Sequence, residues 1–169
     1  MRATFKLKQD LLIEVHRDLS RPHAFAAERV AFMACRLAAT PRGICILAKN
    51  YLPVDETHYE DDPTVGAMMG SSAIRAALEY AFNHKAAMFH IHRHDHHGAP
   101  RFSAVDEREA ARFVPDFLKV APGLVHGALV LSYDRIHGQW WNPTTRTFRS
   151  IDEYVTVGFP IITQKDSSR

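Results

Sequence analysis

The chain has 169 residues, 46% of them hydrophobic and 24% charged, with a formal net charge of +2. That length suits one domain with its own core, and the near balance of charge gives no electrostatic reason to expect nucleic acid or an anionic membrane as partner. No apolar run approaches the length of a transmembrane helix and the start, MRATFKLKQD, lacks a signal-type apolar stretch, so a cytoplasmic protein is expected. Cys35 and Cys45 stand ten apart in apolar segments and read as buried free thiols, not as a disulfide framework.

In chain order, ATFKLK alternates and predicts an edge strand. DLLIEVHRDLS, with Leu11, Leu12, Ile13, Val15 and Leu19, fits a short helix without demanding one. ERVAFMACRLA, opening at Glu28, and GICILAKNYLPV predict two strands joined by a turn at ATPRG. YLPVDETHYEDDPTVG is polar and acidic and reads as a loop or irregular crossover. SSAIRAALEYAFNHK is the clearest helix, with Ser71 or Ser72 as cap and Ile74, Ala77, Leu78, Ala81 and Phe82 on one face. AAMFHI predicts a short strand. AVDEREAARFVPDFLKV predicts a second helix, bent near Pro115. LVHGALVLSYD and IHGQWWN predict a hairpin, with one of Trp140 and Trp141 in the core and the other at its rim. EYVTVGFPI predicts a last strand. The order is that of an α/β or α+β domain, helices packed on a sheet, over residues 1–162, with 163–169 as a flexible tail.

The stretch FHIHRHDHHGAPRFSAVDE holds five of the eleven histidines. His90 and His92 are two apart on a strand, so both imidazoles face one side and can share a metal. Such a pair suits Zn²⁺, which in catalytic sites takes three protein ligands and keeps one position open. A third ligand is therefore needed. Ser103 and Asp106 have the spacing of a helix capping box, and a carboxylate fixed in a first helical turn can also reach a metal at the preceding strand end. The run HDHHGAP either shapes the cleft or is a mobile tract. His126 and His137 lie in apolar strands and read as structural.

These residues resemble the JAMM metalloprotease family, also called MPN+ or JAB-domain proteins. The family pattern is a glutamate, then His-x-His, about seven residues, Ser, two residues and Asp. Here it reads Glu28, His90, His92, Ser103 and Asp106. Ten residues separate His92 from Ser103, and Arg93 stands where the family has proline. Pairing His92 with His94 leaves eight, nearer the common count, but moves the pair off the strand end, so His90 with His92 is favoured. Ala31 stands where glycine is common after the glutamate. Among Glu14, Glu28, Glu56 and Glu60, the order of elements favours Glu28.

The resemblance implies a JAMM/MPN-like, cytidine deaminase-like fold, a mixed β-sheet flanked by helices. It implies Zn²⁺ held by His90, His92 and Asp106, Glu28 as general base and Ser103 as oxyanion donor. The implied activity is isopeptidase or peptidase cleavage after the C-terminus of a ubiquitin-like protein by metal-activated water. Implied partners are that protein or its conjugates, with E1-like and E2-like enzymes, in a sulfur-carrier or bacterial antiviral setting. Three other readings stay open: an inactive MPN-like scaffold, a His-rich metal-binding protein and a different metallohydrolase.

Overall fold

The computed structural model describes residues 1–166. The chain runs β1 (Arg2–Lys8), α1 (Gln9–Leu19), β2 (Val30–Thr40), β3 (Gly43–Pro53), a 3₁₀ turn at Glu56–His58, β4 (Tyr59–Glu60), β5 (Met68–Met69) and α2 (Ser71–His84). It continues through β6 (Ala87–Arg93), α3 (Ala104–Val120), β7 (Gly127–Leu131), β8 (Ile136–Asn142), β9 (Thr147–Ser150), β10 (Glu153–Val157) and β11 (Ile162–Lys165). Nine strands form one mixed sheet in the order β11-β10-β1-β3-β2-β6-β7-β8-β9, and β4 and β5 pair separately. The sheet curls: the Gln164 side chain on β11 accepts from the N–H of Ile136, at the start of β8, and donates to the carbonyl of Asp134.

Period-two alternation divides the sheet into two packed faces. On β2, Ala31, Met33 and Cys35 face one core with Val15 and Leu19 of α1, while Val30, Phe32 and Ala34 face the other with α2 and α3. On β6, Ala87, Phe89 and Ile91 join the first core and Met88 the second. The even-numbered side of β6, which carries the histidines, therefore faces α2 and α3.

Several expectations change. β1 is interior, between parallel neighbours β10 and β3, and not an edge. Its alternation records one buried face, carried by Ala3, Phe5 and Leu7, which an interior strand with a less buried second face also shows. The 9–19 segment is a helix. α2 is capped by Gly70 without a side-chain hydrogen bond, not by serine; Ala73, Ala77 and Ala81 are its buried stripe, and Phe82 is exposed. α3 runs through Pro115 without interruption. The 51–66 stretch is not a plain loop: β4 pairs antiparallel with β5, and the Tyr59 hydroxyl accepts from the N–H of Val30 on β2. Ile162–Lys165, mostly within the expected tail, pairs antiparallel with β10; residues 167–169 lie outside the described residues. Trp140 is core, whereas Trp141 is half-buried against Phe148. Both cysteines are free and buried. Among the described residues no helix is long and apolar enough to cross a membrane.

Candidate metal centre

The site lies where β2 and β6 end against the start of α3. The strands are antiparallel, with Phe32 opposite His90 and Val30 opposite His92. One further step in that register sets Glu28 opposite His94. His94 lies past the last residue of β6, yet its N–H still donates to the carbonyl of Leu131 at 2.9 Å, so it is held as a strand residue would be. Arg93 points the other way, where it pairs with Asp95, donates to the carbonyl of His16 and covers the Tyr133 ring.

The donor atoms converge. Nε2 of His92 and Nε2 of His94 are 3.2 Å apart. Oδ2 of Asp106 is 3.5 Å from the first and 3.8 Å from the second. A tetrahedral ion with bonds of 2.0–2.1 Å needs ligand–ligand edges of about 3.3 Å. Two imidazole nitrogens and a carboxylate oxygen at these separations fit a divalent metal ion with bonds of that length. Glu28, His92 and His94 also place one donor atom each within 4.8 Å of one another. His90 is not part of that group. Its ring stands one strand step inward, 5.7 Å between centroids from His92. The structure thus brings together Glu28, His92, His94 and Asp106, and sets His90 behind them. The signal for His94 in the sequence was the eight-residue spacing to Ser103; what hid it was the end of the apolar run at Ile91.

Asp106 and Ser103 form the expected capping box. Ser103 Oγ accepts from the Asp106 N–H at 3.2 Å, and Asp106 Oδ2 accepts from the Ser103 N–H at 2.7 Å. As an acceptor the Ser103 hydroxyl keeps its own proton for a ligand in the cavity. Burial pushes the Asp106 carboxyl up, but hydrogen bonding and charge from His92, with hydrogen bonds from Ser103, outweigh it and hold the group below the ordinary carboxylate range. Burial, then the neighbouring His92, lowers His94. The same two causes push His90 down to about 3, so its ring is neutral near pH 7.

Glu28 is placed by its neighbours. Its N–H donates to the carbonyl of Gly66 at 3.0 Å. A β-carbon on Gly66 would stand 2.9 Å from the Glu28 carboxyl carbon, so only glycine leaves the carboxylate where it is. Arg29, 5% exposed, donates to the carbonyls of Arg21 and Pro22 and pairs with Glu56. That clamp holds the backbone beside Glu28 and gives Glu56 a use that its polar sequence context did not indicate.

These groups line a cavity of about 280 Å³, closed on one side by Thr64–Met69 and on the other by α3. Grooves of about 420 and 400 Å³ lie elsewhere, and among the described residues neither gathers three metal-type donor atoms. The HDHHGAP loop is pinned to the β7–β8 turn: the N–H of Tyr133 donates to the His96 carbonyl, that of Gly98 to Asp134, and the Ser132 hydroxyl to the Gly98 carbonyl. His126 and His137 have partners, Met88 and Ala121 for the one and Asp166 for the other.

Fold and site together define a mixed α/β protein with a His/His/carboxylate cluster suited to a divalent metal and consistent with a metallohydrolase-type active site. No protein-family model and no curated protein matches the chain, so its geometry carries the functional reading.

Proposed function

We propose that this protein is a zinc-dependent hydrolase of the JAMM kind, cleaving a peptide or isopeptide bond next to the C-terminus of a ubiquitin-like protein. The observation that carries the reading is the triangle of His92, His94 and Asp106 donor atoms with edges of 3.2, 3.5 and 3.8 Å, beside a second carboxylate. In this reading those three residues are the ligands. An ion bound there supplies Lewis acidity at one open position. Glu28 stands free of the capping box and takes the proton work: it accepts a proton from the attacking water and returns it to the departing amine. Ser103 donates its hydroxyl proton to the carbonyl oxygen as negative charge develops there. Burial lowers the pKa of His94, which favours the neutral imidazole that can donate an electron pair. The partners are a ubiquitin-like protein or its conjugates, with E1-like and E2-like enzymes supplying the conjugate.

The test is a paired assay of zinc-loaded wild type and Glu28→Gln on ubiquitin-like proteins extended by a peptide or lysine adduct, with metal content per chain. Cleavage by the wild type, loss in the variant and about one zinc in both support the reading. One zinc with no cleavage of any conjugate favours an inactive scaffold. Several metals per chain favour a His-rich metal-binding protein.

A further inference from the structure

The cavity has an inner half that the chemistry above does not use. Three elements carry it inward from the donor atoms: His94, His92 and His90 on the β6 side, Glu28 and Val30 on the β2 side, and Asp106, Ala110 and Phe113 along α3. Polarity falls along this axis. Val30, Met69, Ile74, Ala110 and Phe113 are the inner walls, and His90 is the polar side chain among them. Glu109, which also borders the cavity, is paired with Arg108 and Arg112.

The His90 ring sits edge-on to Phe32 and Phe113, with centroids 5.7 and 5.4 Å away. Neither of its ring nitrogens has a hydrogen-bond partner among the described residues, and Nε2 is fully buried. An imidazole left unbonded in an apolar wall destabilises the fold, and a phenylalanine or leucine would fill the same place without that penalty. His126, fully buried, has both nitrogens bonded. A neutral imidazole offers one donor and one acceptor, and a hydroxyl can answer either. A charged group would lose its hydration among these walls without an opposite charge to replace it.

On the reading of this site as a hydrolase, we propose that the inner half is a substrate pocket with His90 as its hydrogen-bonding floor. It takes a compact, uncharged side chain with an apolar body and one hydroxyl, of threonine size, from a residue flanking the scissile bond. His90 is thus a specificity residue and not a metal ligand. Glycine at that position would leave the pocket empty.

The test uses zinc-loaded protein with ¹⁵N-labelled histidine. N-acetylthreonine amide and its isostere N-acetylvaline amide are titrated, and the His90 ring resonances are followed. The threonine probe is expected to shift them and to bind at least about tenfold more tightly than the valine probe. In His90→Phe the preference disappears, about one zinc per chain remains, and the melting temperature holds or rises. His90→Gln keeps a hydrogen-bonding group and restores part of the preference; it also serves if the phenylalanine variant misfolds. Equal binding of the two probes overturns the proposal, as does loss of zinc in both variants. A parallel cleavage assay separates the two readings. Probe discrimination without cleavage of any substrate sinks the hydrolase and leaves the pocket. Cleavage with no threonine-over-valine preference sinks the pocket and leaves the hydrolase.

Discussion

Strand β6 has a histidine environment at each end, and the two are built on opposite rules. At its start, the N–H of Met88 donates to His126 Nδ1 at 3.1 Å, and His126 Nε2 meets the Ala121 carbonyl at 3.2 Å. Main-chain groups fix that ring's tautomer and use up both of its nitrogens. At the far end, the rings of His90, His92 and His94 have no main-chain hydrogen-bond partner among the described residues. The Nε2 atoms of His92 and His94 meet one another and Asp106, and among the described residues Nδ1 of His92 is buried without a partner. A structural histidine is one the protein has finished bonding. A site histidine is left with capacity that something else must fill.

The largest expected effect comes from removing that capacity. His94→Ala should lower zinc affinity more than about a hundredfold, since even outer partners of a ligand are worth 10–100-fold. His126→Asn should leave zinc content unchanged. Titration against a competing chelator distinguishes them, and equal losses would erase the contrast.

Ser103→Ala should lower kcat/KM about a hundredfold, as for the loss of one oxyanion donor. The lost cap should cost only about 1 kcal/mol of stability by urea unfolding. A rate loss no larger than the stability loss predicts would leave Ser103 as a cap alone.

Gly66→Ala sharpens the comparison from another side. The new methyl meets the end of a flexible side chain, which can move, so stability and zinc content should hardly change. The displaced Glu28 carboxylate should lower kcat roughly tenfold or more, a part of the roughly 10²–10⁴-fold that a general base contributes. A crystal structure of the variant would show whether the carboxylate has moved.

The effect spread over the widest range of conditions is on stability against pH. Burial holds His126 at a pKa of about 4 when folded, against 6.5 for a free imidazole. Between those values the unfolded chain binds more protons, so stability is full above about pH 6.5 and falls as the pH drops toward 4, by up to about 3 kcal/mol. Urea midpoints from pH 8 to 4.5 should show a shallower fall in His126→Asn than in the wild type. Lowered His16 and His94 add to the same trend in both proteins.

The sequence exposed the elements with strong local patterns. The alternating runs of β2, β3 and β6 and the capping box at Ser103 and Asp106 were visible because period and cap chemistry act over a few residues. What it hid depends on contacts between distant segments. Nothing local in ATFKLK says that two parallel strands will flank it. His94 looked unanchored because its anchor is the carbonyl of Leu131, on another strand. Gly66 and Glu56 carried no signal because their meaning lies in Glu28 and Arg29, which they meet only after folding.

The two-faced alternation of β2 and β6 also bears on how this chain can change in length. Deleting one residue between Glu28 and Phe32, or between His90 and His94, would turn every side chain beyond it to the α1 face and dismantle the donor cluster without altering any donor residue. A deletion in the 143–146 turn between β8 and β9 only shortens a loop. Evolutionary drift can thus exchange the apolar residues between the donors, but it can insert or remove residues there only in pairs. In distant relatives, the odd or even spacing of these positions should outlast the identity of what lies between them.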